Sequence, residues 1–357
     1  MVAIRQWTGR EASALQAALR LTVRAFAAEL GLDPRTVTDW RRHGAAIVPR
    51  PDTQAILDTQ LSRCTAEQLE RFQLEIGESP SNRPSPRAAA APLDLEQWSD
   101  DLDRAAVAIG GQRFTLASGL IERWRFRAAV HDRLDDRALH LTARAMVLHG
   151  DLLRDQGVLA GPGSALTAYR DGLSIYRELD IPRRAAQVSL SLAVVQEMSG
   201  DLEGSARAYR DLTRDPRLDG RDRARARLWV GTALSKLARH DAALRVMTDA
   251  AAAFERLGEP EEWAVAQQKL ALANRGIGRL DRAQQLIGVA ASAHTDHTPM
   301  QQVRLSTAHA HILVSDPATR ESGLSLLGTC LTTAMRYGLS HQQRAIRDIR
   351  TAAENAR

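Results

Sequence analysis

The amino-acid sequence predicts an all-α protein in which a small helical domain precedes a long α-solenoid. Hydrophobic residues make up 44% of the 357 residues but aromatic residues only 4%. Alanine, the residue with the highest helix propensity, recurs throughout the chain. Small and large apolar residues in the second half of the chain recur in one order at a nearly constant spacing. Such a period is typical of stacked helix pairs, each of which buries its apolar face against the next pair.

The composition argues against several classes of protein. The two cysteines, Cys64 and Cys330, lie far apart without CxxC spacing, which argues against a disulfide framework or a zinc site. No apolar run reaches about 18 residues and no signal peptide is recognisable, so we expect a cytoplasmic protein without a membrane span. The net charge of +5 comes almost wholly from arginine, because Lys236 and Lys269 are the only lysines.

Five short helices are predicted in residues 1–76. Capping boxes occur at Thr8 and at Thr65, and Asp33 followed by Pro34 is a further strong helix start. Proline disfavours helix at itself and at the preceding residue, so residues 47–51 (IVPRP) should be extended. The predicted helices cover residues 9–20, 23–30, 34–42, 52–61 and a fifth range that begins after Thr65. The residues expected to face inward from the first two helices are Ala12, Leu15, Leu19, Phe26 and Leu30.

Residues 21–44 show the pattern of two helices joined by a tight turn. Ala27 is a small residue at the expected helix contact, and Gly31 permits the positive φ that such a turn requires. Val37 and Trp40 lie one helical turn apart and give the second helix of the pair an apolar stripe. The segment resembles the helix-turn-helix of the phage-repressor (XRE/Cro) family. The alternative is an ordinary helical hairpin.

The resemblance implies roles for the polar positions of this segment. Family members insert the start of the second helix into the major groove, which assigns base contacts to Arg35, Thr36 and Asp39. Asp39 would accept a hydrogen bond from cytosine or orient Arg35 or Arg42. Phosphate contacts set register and affinity, and they are assigned to Thr22, Arg24, Arg41 and Arg42. Family members often carry glutamine or serine at the positions of Pro34 and Arg35, so their sequence specificity does not transfer.

Charge is distributed unevenly along residues 1–80. Residues 1–50 hold eight arginines and four acidic residues, whereas residues 51–80 hold two arginines and six acidic residues. Positive charge therefore gathers around the helix-turn-helix, as phosphate binding requires. The alternative is that these arginines are ordinary solvated surface residues.

A segment rich in proline and serine separates two predicted domains. Residues 77–92 (GESPSNRPSPRAAAAP) contain four prolines, three serines and no large apolar side chain. Such a segment buries too little apolar surface to order itself, so we expect a flexible linker. The predicted domains are residues 1–76 and 93–357.

Five copies of one pattern follow residue 160, each with a small residue, a large residue at +4 and a small or apolar residue at +7. Their period is about 40 residues, which lies within the range of helical repeat families. The copies are Ala165/Tyr169/Gly172, Ser205/Tyr209/Leu212, Ala243/Met247/Ala250, Ala283/Ile287/Ala290 and Gly323/Leu327/Cys330. Twelve residues before each of the middle three copies lies another small residue, namely Ala193, Gly231 and Ala271. The pattern resembles the tetratricopeptide (TPR) repeat, in which helix B crosses helix A closely at small residues.

The resemblance implies a concave surface built from successive A helices, which performs no chemistry of its own. On the repeat register, the groove-facing candidates are Gln187, Arg225, Thr232, Lys236, Gln268 and Arg275. Amide and cationic side chains would suit an extended peptide, whose backbone and acidic groups need such partners. The alternative is a solvated scaffold surface that contacts only a dimer partner.

The ends of the array are predicted to be less regular. Residues 93–134 predict two leading helices, the first with Trp98, Leu102 and Val107, the second with Trp124 and Phe126. Residues 341–357 predict a terminal capping helix that turns Ile346 and Ile349 inward.

No sequence motif for catalysis or cofactor binding occurs, since Walker, Rossmann, HExxH and GxSxG patterns are all missing. Histidines cluster only at His294 and His297 and at His309 and His311. The i, i+2 spacing of the second pair points the two rings to different sides of a helix, which is poor for metal ligation. We therefore expect no enzyme, no cofactor and no metal site.

The combined architecture resembles the peptide-sensing helix-turn-helix/TPR transcription regulators of bacteria, with a composition typical of actinobacteria. The resemblance implies a homodimer that binds a two-part operator in double-stranded DNA and possesses a groove for a peptide or protein ligand. The competing hypothesis is a TPR interaction scaffold whose helix-turn-helix is a docking or degenerate module.

Overall fold

The computed structural model describes residues 4, 7–62, 64–77, 93–129, 131, 133–293 and 298–355. Within these ranges every regular element is a helix, which confirms the predicted all-α class. Contacts divide the chain into two compact units, Met1–Ala91 and Pro92–Arg357. Residues 78–92 of the predicted linker lie outside the described residues.

The first unit contains five α-helices in its described part. They are α1 (Gly9–Ala18), α2 (Val23–Leu30), α3 (Pro34–His43), α4 (Pro51–Ser62) and α5 (Ala66–Gly77). Residues 44–46 form a single 3₁₀ turn after α3. Pro51, which we predicted to be extended, instead begins α4, because the first helical position needs no N–H and favours the fixed φ of proline.

Both predicted capping boxes are present. The carboxylate of Glu11 accepts a hydrogen bond from the Thr8 N–H at 2.9 Å, and the Thr8 hydroxyl caps the first turn of α1. At α5, Gln68 Oε1 accepts from the Thr65 N–H at 2.8 Å, and Thr65 Oγ1 accepts from the Gln68 N–H at 3.3 Å. Each box satisfies backbone donors that the helix itself leaves unpaired.

Gly9 sets the position of α3 against α1. A Cβ at Gly9 would lie 2.8 Å from both Trp40 Cα and the Gly44 carbonyl oxygen, so only glycine permits this approach. The Gly9 N–H donates to the Ile47 carbonyl at 2.8 Å. The C-terminal end of α3 is thereby fixed to the core of the unit through backbone contacts.

The second unit contains thirteen helices in its described part. They are α6 (Leu95–Gly110), α7 (Phe114–Ala129), α8 (Asp136–Asp155), α9 (Ala165–Glu178), α10 (Pro182–Met198), α11 (Leu202–Leu212), α12 (Gly220–Lys236), α13 (His240–Leu257), α14 (Pro260–Gly276), α15 (Leu280–Ala293), α16 (Pro299–Leu313), α17 (Arg320–Arg336) and α18 (Ser340–Asn355). Consecutive helices pack as pairs from α6/α7 to α16/α17, and α18 packs on the last pair. The even-numbered helices α8–α16 are the A helices of five repeats, and the odd-numbered helices α9–α17 are the B helices.

The predicted repeat register is confirmed. All fifteen positions of the small–large–small pattern are buried on the B helices. The small A-helix residues Ala193, Gly231 and Ala271 are buried as well. In the first repeat Gly150 fills this role, because a Cβ there would lie 2.7 Å from the Tyr169 ring. The longer connection between α8 and α9 removes Gly150 from the twelve-residue spacing, so the sequence pattern did not identify it.

The solenoid winds until its two ends meet. Gln112, in the turn between α6 and α7, accepts a hydrogen bond through Oε1 from the Met300 N–H at 3.0 Å. Gly157, just after α8, is so close to α18 that a Cβ there would lie 3.3 Å from the His341 nitrogen. The A helices therefore surround a common interior, which the sequence-based picture of an array with two separate caps did not anticipate.

The leading and terminal helices form where they were predicted. Trp98 and Trp124 are fully buried and their rings stack at 5.3 Å. Val107 and Phe126 lie on these helices but are 67% and 61% exposed. Ile346 is buried and Ile349 is half-buried against the preceding pair, as expected for a terminal capping helix. Among the described helices, none has the length and apolar character needed to cross a membrane.

Candidate functional site

The segment from α2 to α3 has the local geometry that its sequence predicts. The Thr22 hydroxyl accepts from the Ala25 N–H at 3.2 Å, and Gly31 adopts φ +66° in the turn. Asp33 caps α3 by accepting from the Arg35 N–H at 2.8 Å. Ala27, Val37 and Trp40 are buried. One face of α3 is thus anchored in the core, and its opposite face is left at the surface.

The predicted DNA contacts lie at the surface of this segment. Six of the seven are exposed and Thr36 is half-buried. The side chains of Arg24, Arg35, Arg41 and Arg42 make no hydrogen bond or ion pair with any residue that the structure describes. Asp39 likewise has no ion pair with Arg35 or Arg42, the partners that we considered for it. This surface, which we call the arginine face, therefore keeps its positive charge free.

The six predicted groove residues lie on the A helices α10, α12 and α14, but four of them contact a neighbouring A helix and a fifth, Arg275, contacts the turn that follows one. Arg225 pairs with Glu262, and Lys236 Nζ lies 2.8 Å from Glu197 Oε1. Gln187 Nε2 donates to Asp222 Oδ2 at 2.8 Å, and Gln268 Nε2 donates to the Arg304 carbonyl at 2.8 Å. Arg275 Nη1 donates to Ser315 Oγ at 3.2 Å. These side chains therefore connect successive repeats.

Two of the predicted groove residues are buried, which corrects their assignment. Thr232 is 6% exposed, and its hydroxyl donates to the Leu228 carbonyl at 3.1 Å within the same helix. It adjoins Gly231, where helix B crosses, so a surface position there is sterically excluded. Gln268 is 8% exposed and is occupied by its contact to α16. Neither side chain is available to line a groove.

Two cations that the sequence reasoning missed lie towards the interior. Lys269 of α14 is half-buried, with its Nζ 5.4 Å from the centre of the Trp229 ring. Burial, together with the positive charges of Arg304 and Lys236, lowers the pKa of Lys269 to about 8. Arg304 of α16 is exposed to water, and its carbonyl accepts from the amide of Gln268, the residue before Lys269, at 2.8 Å. The two cations therefore lie close together where α14 meets α16, at a recess of the solenoid that is open to water.

The last helix contributes to the same recess. Burial lowers the pKa of His341, and the charges of Lys236, Arg304 and Arg344 act in the same direction. Glu197 is a carboxylate that opposes these charges, and it also accepts from the Tyr209 hydroxyl at 2.9 Å. At Arg304 the charge of Asp155 acts in the same direction as that of Glu197. We call Lys236, Lys269, Arg304 and His341, together with Glu197, the cationic recess.

A second interior network joins Arg154 to two carboxylates and a tyrosine. Arg154 Nη1 donates to Asp151 Oδ1 at 2.8 Å, and the Tyr169 hydroxyl donates to the same oxygen at 2.7 Å. Arg154 also pairs with Asp155 at 3.0 Å. Burial raises the pKa of Asp151, whereas the charge of Arg154 lowers it. Arg154 thus pairs with both carboxylates, and these contacts stabilise the first repeat.

The remaining reactive side chains do not form a site in the described part of the chain. Cys330 is buried, as expected, and Cys64 is half-buried; both are free thiols. Burial and the nearby Arg275 lower the pKa of His311 to about 4. No group of three potential metal ligands occurs among the described residues. His294 and His297 lie outside them.

Known proteins resemble this chain in structure rather than in sequence. No protein-family model matches it and no curated protein shows significant sequence similarity. A Rap protein complexed with competence and sporulation factor matches 97% of this chain and 99% of its own, with 15% identity and a TM-score of 0.53. Aspartyl phosphate phosphatase F from Bacillus subtilis matches 99% and 95% of the two chains, with 11% identity and a TM-score of 0.49.

A DNA-bound protein is also among the similar structures. Bacillus thuringiensis PlcR in complex with the peptide PapR7 and DNA matches 80% of this chain and 93% of its own, with 11% identity and a TM-score of 0.43. Identities this low show a shared fold and nothing more. The Rap protein is the match among these three that supports the TPR-like α-solenoid.

Proposed function

We propose that this chain is a sequence-specific, DNA-binding transcription regulator whose solenoid dimerises and senses a peptide or protein ligand. In this proposal, residues 1–76 bind double-stranded DNA in the cytoplasm and the chain has no enzymatic activity. The arginine face is the observation that supports this proposal most directly. Four free cations on one short motif are the electrostatic arrangement that phosphate binding requires.

The arginine face differs from surfaces of the solenoid on which arginines pair with carboxylates. On those surfaces Arg183 pairs with Asp219 at 2.5 Å and Arg239 pairs with Glu203 at 2.5 Å. Such pairing neutralises charge at the surface. The arginine face lacks it among the described residues, which keeps these side chains available for a polyanion.

The position of α3 supports a role in base recognition. This helix has ten residues and is held by Val37, Trp40 and the close contact at Gly9. Arg35 stands in its first turn, and Asp39 stands one turn later. An exposed helix start of this kind can enter the major groove, where an arginine can pair with guanine in a bidentate manner.

The solenoid supports the sensing part of the proposal. The Rap protein of similar fold is complexed with competence and sporulation factor, and the interior of this solenoid holds charged side chains without partners among the described residues. A ligand bound there could change DNA affinity by favouring one arrangement of two subunits. Two subunits are proposed because a single domain makes too few contacts for specific binding at physiological salt.

Salt-dependent DNA binding tests the proposal. Fragmented DNA from the source genome would be incubated with the full chain, and the retained fragments would be sequenced. We expect enrichment of fragments with two related half-sites, and the logarithm of the binding constant should fall linearly with the logarithm of salt concentration. Sedimentation equilibrium should show a dimer. Retention of all fragments alike, or of none, would instead favour the interaction scaffold.

A further inference from the structure

We propose that the cationic recess binds a carboxylate group of a short peptide, with Lys269 and Arg304 as its direct partners. This inference rests on the proposed sensing function and gives the ligand a chemical class. None of the six groove residues chosen from the sequence is its principal contact, because five of them connect neighbouring repeats and the sixth is buried.

Four A helices and the closing helix α18 bring the recess together. Glu197, Lys236, Lys269 and Arg304 come from α10, α12, α14 and α16, one from each successive repeat. His341 arrives from the start of α18, which the contact with Gly157 holds against the end of α8. The winding of the solenoid therefore brings side chains from five helices into one region.

The charges of the recess do not balance. Lys236 is paired with Glu197 at 2.8 Å, and the same carboxylate accepts from the Tyr209 hydroxyl. Lys269 and Arg304 have no hydrogen bond or ion pair from their side chains within the described residues, apart from the contact of Lys269 with the Trp229 ring. Lys269 is half-buried, and an unpaired cation that is partly withdrawn from water is costly. A bound anion would supply the missing partner.

The donors favour a carboxylate of a peptide. Arginine offers a planar fork that matches the two oxygens of a carboxylate, and lysine adds a compact charge that can approach one of them. Glu197 lies in the same recess and would repel an anion that carries several charges. The half-buried Trp229 beside Lys269 provides an aromatic surface for the rest of the ligand.

Three pools of synthetic hexapeptides provide the test, measured by calorimetric titration of the full-length protein. All pools have randomised neutral residues and acetylated N-termini. The first has a free C-terminal carboxylate, the second is amidated, and the third is amidated and contains one glutamate. We expect the first or the third pool to bind about tenfold more tightly than the second, as one charge-assisted contact allows. The pool that binds more tightly shows whether the carboxylate belongs to the peptide C-terminus or to a glutamate side chain.

Variants assign the effect to the recess. Lys269→Met and Arg304→Gln should each remove the preference for carboxylates, whereas Lys269→Arg should keep it. Arg245→Gln is the matched control, since Arg245 is an exposed arginine on the B helix α13. Circular dichroism checks that each variant is folded. Lys269→Met keeps an apolar stem of similar length and removes a partly buried charge, so we expect it to fold.

The outcomes separate this inference from the proposed function. Equal binding of all three pools by the native protein would overturn the role of the recess but leave peptide sensing standing. A carboxylate preference that survives both Lys269→Met and Arg304→Gln would place the anion elsewhere and also overturn it. Binding of no pool would contradict peptide sensing itself.

Discussion

Lys236 Nζ lies 2.8 Å from Glu197 Oε1, and this ion pair joins the A helices of adjacent repeats. Glu197 is 8% exposed and also accepts from the Tyr209 hydroxyl at 2.9 Å. The carboxylate therefore serves two purposes, since it connects two repeats and opposes the charge of the recess. Substitutions at Glu197 should consequently change stability and ligand affinity in opposite directions.

Glu197→Gln is expected to lower the free energy of unfolding by about 1–3 kcal/mol, because Lys236 and Tyr209 lose a charged acceptor. Urea unfolding measures this change. Glu203→Gln is the matched control: Glu203 also pairs across repeats, with Arg239, but both side chains are about half exposed. Its effect should stay below about 1 kcal/mol. Glu197→Gln should also bind carboxylate peptides more tightly than the native protein; weaker binding would contradict the charge account of the recess.

Two glycines of α17 should respond oppositely to alanine. A Cβ at Gly323 would lie 2.8 Å from the Val314 nitrogen and 3.0 Å from the Ala310 carbonyl oxygen, whereas nothing lies within 4 Å of one at Gly328. Gly323→Ala should destabilise the protein by about 1–3 kcal/mol because backbone atoms must move. Gly328→Ala should stabilise it by about 0.5–1 kcal/mol through helix propensity. Thermal unfolding of both variants checks the difference, and equal shifts would contradict the close contact.

Half-buried His311 should make the solenoid less stable in mild acid. Burial and Arg275 lower the pKa of His311 to about 4 in the folded protein, whereas it is about 6.5 in the unfolded chain. Between pH 4 and pH 6.5 the unfolded chain therefore binds more protons than the folded protein does. The contribution of neutral His311 to the free energy of unfolding is complete above about pH 6.5 and is lost as the pH falls through 4, by about 3 kcal/mol in total. Urea unfolding at pH 7 and pH 4.5 should show a smaller loss for His311→Gln. An unchanged loss would indicate that His311 titrates alike in both states.

The sequence predicted the helix register well, because small and large side chains must alternate wherever two helices cross closely. Tyr169, Tyr209 and Met247 were placed correctly for this reason. The groove residues were predicted less well. Whether Arg225 faces a ligand or Glu262 depends on the rotation between repeats, which no local pattern encodes. The recess also depends on closure of the solenoid by Gln112 and Gly157, which are far from its charges in sequence.

The arginine face should separate base recognition from phosphate contact. Arg35→Ala is expected to remove most of the preference for operator over random DNA, about 1–3 kcal/mol, with a smaller effect on random DNA. Arg41→Ala should weaken binding to both and reduce the salt slope by about one phosphate contact. Fluorescence anisotropy with both DNAs at several salt concentrations measures the two effects. Arg71→Ala is the control, because Arg71 lies on α5, outside the helix-turn-helix segment. If Arg35→Ala and Arg41→Ala behave alike, α3 does not read bases.

Carboxylate binding should weaken in alkaline solution because Lys269 loses its proton there. Its pKa is lowered to about 8 by burial and by the charges of Arg304 and Lys236, while Glu197 acts in the opposite direction. A bound anion favours the protonated lysine, so binding above pH 8 must take up a proton and should weaken by up to about tenfold per pH unit. Lys269→Arg keeps its charge throughout this range. Its affinity measured from pH 7 to 9.5 should stay level while that of the native protein falls, and parallel profiles would show that Lys269 is not the partner of the carboxylate.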